Sequence, residues 1–174
     1  MTRIFRAAAV APIALLATMS HAAQTVKQDQ CLTADEASAM FTSVAPGLLR
    51  SASEACASAL PAGAYLRDRG AALADRYSAP AAAAKPLAMV ALNKIAGGES
   101  ATPEMFDMIT GSMIGALAAG QIKPKDCISI NRVVELLDPL PPANMAGLVV
   151  AILELSAADA RKPAPFQICK SPTG

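Results

Sequence analysis

The spacing of the apolar residues constrains this chain most. They recur at helical intervals along its length, and nowhere do β-branched and polar residues alternate in the period-two pattern of a half-buried strand. After Thr33, apolar side chains fall at Ala37, Met40, Phe41, Val44 and Leu48, one face of an amphipathic helix. Alanine fills 33 of the positions from Ala23 onward, a composition that suits closely packed helices better than a sheet. The expected fold is therefore all-α, a single compact domain of six or seven short helices with an extended C-terminal strap.

Local signals set the expected boundaries. Thr33-Ala-Asp-Glu36 reads as a capping box, in which hydroxyl and carboxylate each satisfy an otherwise orphaned backbone amide. Pro46 is expected to end this first helix and open a second that stops near Pro61. A third run spans Ala64 to Tyr77, with Leu66, Gly70, Leu73 and Tyr77 on its buried side. The segment from Ser78 to Pro86 is the main break, followed by a helix to Ala96 that stops at Gly97-Gly98. Thr102-Pro103-Glu104 combines an N-cap, a first-turn proline and a dipole-matched acid, opening a helix that should end at Gly120. Asp126 is expected to start the next helix. Pro142 then opens the last one, which is apolar on nearly all sides and so expected at the centre.

The first 22 residues look like a secretory signal. Arg3 and Arg6 form a basic start, Ala7 to Ala17 is an apolar core too short to span a membrane, and Ser20-His21-Ala22 fits a signal-peptidase site. Residues 23–30 are expected to be flexible. Residues 31–174 form the helical domain, with a polar tail from about 156. Cleavage after Ala22 leaves 152 of the 174 residues, with 13 basic against 14 acidic side chains and no stable transmembrane anchor. The near-neutral balance argues against nucleic acid as a partner. An exported product would be periplasmic or secreted.

All four cysteines survive that cleavage, and in an exported chain an even number reads as disulfides. Four cysteines allow three connectivities. Sequential pairing, Cys31–Cys56 and Cys127–Cys169, is preferred because each pair brackets a predicted helical hairpin. Neither a Cys-x-x-Cys pair nor a histidine partner is available to make a metal or redox site, so no metal or cofactor is expected.

The single histidine, His21, leaves with the signal, which removes Ser-His-Asp and Cys-His catalysis and histidine-based metal sites from the processed chain. Carboxylate chemistry remains. Glu104 with Asp107, and Glu135 with Asp138, each stand three residues apart on a helix face, where solvated or dipole-complementing acids are the common case. Asp68 between Arg67 and Arg69 reads the same way, as a solvated face. Gly111-Ser-Met-Ile-Gly115 is a small-residue step that a neighbouring helix should approach closely. Met89, Met105, Met108, Met113 and Met145 form a candidate lining for an adaptable apolar pocket.

Three functions fit this inventory. The first is a non-enzymatic envelope protein acting through protein–protein contacts, as an adaptor, inhibitor or immunity-like factor. The second is a carrier of a small apolar ligand or lipid in a helical cavity. The third is a carboxylate-dependent cell-wall enzyme. No catalytic residue stands out, and the first reading is preferred.

Overall fold

The computed structural model describes residues 31–97, 101–157 and 166–169. The signal segment 1–22, the segment 23–30 and most of the tail lie outside these described residues. Five α-helices carry the fold: α1 (Ala34–Cys56), α2 (Tyr65–Ile95), α3 (Pro103–Gln121), α4 (Cys127–Leu137) and α5 (Pro142–Ala157). A 3₁₀ turn at Pro124–Asp126 leads into α4.

The capping signals act as expected. Glu36 N donates to Thr33 Oγ1 at 3.1 Å and Thr33 N donates to Glu36 Oε2 at 2.8 Å, closing the box at the head of α1. Met105 N donates to Thr102 Oγ1 at 3.3 Å, with Pro103 in the first turn of α3. Gly97, at φ +85°, takes the left-handed conformation that stops α2. The head of α2 is capped differently. Ala64 has no capping side chain, and Leu66 N instead donates to Asn131 Oδ1 of α4 at 2.7 Å. Asp126, expected to start the next helix, stands immediately before α4 without a side-chain capping bond, and the 3₁₀ turn leads the chain in.

Six or seven helices were expected, and five are present among the described residues because prolines fail to break two of them. Pro46 lies inside α1, and Pro80 and Pro86 lie inside α2. An interior proline costs about 3 kcal/mol or more, through one lost hydrogen bond and a clash with the preceding turn. Burial on both sides offsets that cost. Pro46 is itself buried, and Ala74, Ala81, Ala88 and Ala91 of α2 are buried on either side of its prolines. Interrupting either helix would lift half of this apolar face off its partner.

The long pair α1 and α2 forms the spine, and α3, α4 and α5 pack around it. Leu66, Gly70, Leu73 and Tyr77 all face inward. Leu66, Leu73 and Tyr77 join Ala45, Cys56, Leu60, Cys127 and Val134 in the main core. Two glycines permit close approach. A Cβ at Gly70 would collide with Ser53 Oγ of α1, and one at Gly47 would lie 2.7 Å from Ile114 Cδ1 of α3. The Gly111–Gly115 step does not play that role. A Cβ at either position meets nothing within 4 Å, so none of the described helices approaches this face.

The disulfides join Cys31 to Cys169 and Cys56 to Cys127, with Cα–Cα distances of 5.0 and 5.4 Å. This corrects the sequential pairing, and the reason is the length of α1. An uninterrupted helix of 23 residues is about 35 Å long, so Cys31 and Cys56 stand at its opposite ends, far beyond bridging distance. Cys56 instead meets Cys127, the first residue of α4. Cys31 meets Cys169, where Leu32 N donates to Gln167 O at 2.8 Å and Cys169 N donates to Leu32 O at 2.7 Å. Leu32 is fully buried there, and the Phe166 ring packs 6.4 Å from that of Phe41.

Candidate functional site

The most distinctive surfaces are helix faces without a partner. In α5, Ala146 and Val150 turn inward and are buried. On the opposite face Leu148, Ile152 and Leu155 follow an i, i+4, i+7 spacing and stand 44%, 52% and 76% exposed. This helix was expected at the centre. It lies instead on the flank of α1, where only one side is covered, and its sole charged residue, Glu154, leaves the outer stripe apolar.

The five methionines do not line one pocket. Met105, Met108 and Met113 are exposed around α3, and Met89 packs beside Ala88 and Phe106. Met145 alone lines a cavity, of about 60 Å³, with Leu49, Leu73, Tyr77, Val134 and Leu137. That volume holds about two waters' worth of space, far less than an acyl chain needs. A wider, open depression of about 330 Å³ lies at the α2 head, between the turn Leu60–Ala64 and Ile128 and Asn131 of α4. Methionine spacing alone could not distinguish these outcomes, since it records helix faces and not what covers them.

The carboxylate pairs separate. Lys85 Nζ lies 2.7 Å from Asp107 Oδ1 and 5.8 Å from the centre of the Phe106 ring. Glu104 is held below the usual carboxylate range by its own backbone amide and by Thr102, as befits an acid at a helix N-terminus. Asp138 is taken up by α2: Arg76 Nη2 donates to its carboxylate at 2.5 Å and to its backbone carbonyl at 2.6 Å. The Tyr65 hydroxyl and Arg76 hold the Asp138 carboxyl below its ordinary range, and burial followed by Asp138 pushes the Tyr65 phenol up. This Tyr65–Arg76–Asp138 cluster was not visible in the sequence, because Asp138, at the end of α4, lies 62 residues beyond Arg76 of α2. It anchors the end of α4 on α2.

Among the described residues Glu36 is the one buried acid, and Lys94 Nζ lies 2.7 Å from its Oε1, linking the head of α1 to the tail of α2. Burial opposes its ionisation, but Lys94 and the Thr33 amide outweigh that and hold the carboxyl below its usual value. Among the described residues no group of His, Cys, Asp or Glu side chains could hold a metal ion. None of their helices is long and apolar enough to cross a membrane.

Fold and surface together define an all-helical, twice disulfide-linked protein, a bond type that suits an oxidising environment. No protein-family model, curated protein or solved structure matches the chain.

Proposed function

We propose that this is an exported protein of the cell envelope that works by binding another protein, as an adaptor, inhibitor or immunity-like factor. The observation that carries the reading is the outer stripe of α5, where Leu148, Ile152 and Leu155 stay exposed beside a well-covered inner face. Contiguous apolar surface of this kind is costly to leave in water and commonly marks a contact site. The signal-like first 22 residues and the two disulfides support a periplasmic or secreted location. In this reading the segment ending at Cys169 is a strap that holds the two ends of the domain together.

Site-specific photocrosslinking in exporting cells tests it, with the probe at Ile152 and a control at Arg132 on α4. The expected result is one defined protein adduct from position 152 and none from 132. The purified pair should then bind roughly tenfold more weakly after Ile152→Glu. No adduct at 152, or an adduct with only a second copy of this chain, would overturn the reading.

Carriage of a small apolar ligand is the second reading; the cavity beside Met145 is too small for one, and the open depression of about 330 Å³ at the head of α2 is the space that favours it. Native mass spectrometry of the intact protein, followed by organic extraction, would reveal a bound ligand. A protein of bare polypeptide mass would dispose of it.

A further inference from the structure

We infer that the outer face of α3 is a self-association surface on which a second copy of this chain docks its own α3, antiparallel, about a two-fold axis. The inference goes beyond the proposed function, which concerns α5, and does not depend on it.

Three observations carry it. The face opposite the buried Phe106 is formed by Glu104, Met108, Gly111, Gly115 and Ala119, spaced to lie along one side of a helix. It is unpartnered: Met108 is 67% exposed, and a Cβ at Gly111 or Gly115 would meet open space.

The second observation is the absence of charge. From Met108 through Ile122 there is no ionisable side chain, so the middle of the face offers nothing that needs water.

The third is the placement of charge at its two ends, which selects the occupant. Glu104 stands at the N-terminal end and Lys123 just past the C-terminal end; both are exposed and neither forms an ion pair among the described residues. α3 is about 28 Å long, so a parallel partner would set acid against acid and lysine against lysine. An antiparallel copy related by an axis near Met113 brings Glu104 opposite Lys123 at both ends. The same axis lays Gly111 over Gly115 of the second copy, allowing close backbone approach at the centre. The charge pattern and the small-residue step, read separately, locate the same axis. The helix dipoles also oppose favourably in this arrangement. An isologous two-fold contact needs this kind of self-complementarity. Exposed ion pairs add little affinity, so the charges set direction while apolar contact supplies the binding.

Sedimentation velocity and light scattering on the full processed chain, from micromolar to submillimolar concentration, provide the test. The expected result is a concentration-dependent dimer that Gly111→Gln with Gly115→Gln weakens roughly tenfold or more. Because both positions face open space and glutamine favours helix more than glycine does, the same variant should unfold at no lower temperature, separating lost docking from lost folding. Glu104→Lys should also weaken the dimer, and adding Lys123→Glu should restore it. A monomer at every concentration, a dimer indifferent to the glycine changes, or a charge swap without rescue would each overturn the inference.

Discussion

At the scale of single residues, Glu36 shows how one side chain serves two elements. It closes the capping box on α1 and receives Lys94 from the end of α2, so its carboxylate is satisfied although it is buried. Its folded pKa lies below the ordinary 4.5. The stability it contributes is therefore fully present above that value and is lost as pH falls through the lower, folded value. Glu36→Gln should cost about 1–2 kcal/mol at neutral pH, from the weakened cap and the lost charged hydrogen bond. It should also flatten the acid limb of a urea-midpoint profile; an acid limb identical to that of the parent protein would show that other groups govern it. The capping half of this role was legible in Thr33-Ala-Asp-Glu36. The Lys94 half was not, because 58 residues separate the partners.

At the scale of helices, the prolines mark where local and tertiary preferences disagree. Pro46, Pro80 and Pro86 each carry a strong stop signal, yet α1 and α2 continue through them: Pro46 is itself buried, with Ala45 before it and Cys56 after it also buried, and buried alanines flank the two prolines of α2. Pro86 itself is exposed, so replacing it should restore a backbone hydrogen bond without disturbing the core. Pro86→Ala is expected to stabilise the fold by about 2 kcal/mol, the gain in helix propensity less the entropy returned to the unfolded chain. Chemical denaturation would check this, and a lower midpoint would mean that the proline shapes the path of α2 against α1. The apolar faces divide similarly. Leu66, Leu73 and Tyr77 were readable as core because polar residues flank them and show which way is in. α5 has no such contrast, and its outward stripe became evident only once α1 was seen to cover one side of it.

At the scale of the whole molecule, the two disulfides tie elements distant in sequence. Cys31–Cys169 spans 138 residues and Cys56–Cys127 spans 71. On the chain-entropy account, loops of these lengths are worth about 5 and about 4 kcal/mol respectively. Non-reducing digestion and mass spectrometry should return peptides joining Cys31 to Cys169 and Cys56 to Cys127. Replacing Cys31 and Cys169 together by Ala should lower stability by about 2–5 kcal/mol in guanidinium titration. Peptides joining Cys31 to Cys56 would contradict the fold itself, because they require α1 to break at Pro46.

Helical character, the caps at Thr33 and Thr102 and the buried face of early α2 follow from residues a few positions apart, so the sequence by itself determined them. The cysteine count pointed to two bridges for a chemical reason that needs no coordinates. Which cysteines meet, whether a proline ends a helix, and which side of α3 and α5 faces water were decided only by the tertiary structure. These outcomes depend on how long each helix runs and what lies against it. A helix that continues through Pro46 carries its two flanking cysteines apart, and a helix packed on one flank leaves its other face open.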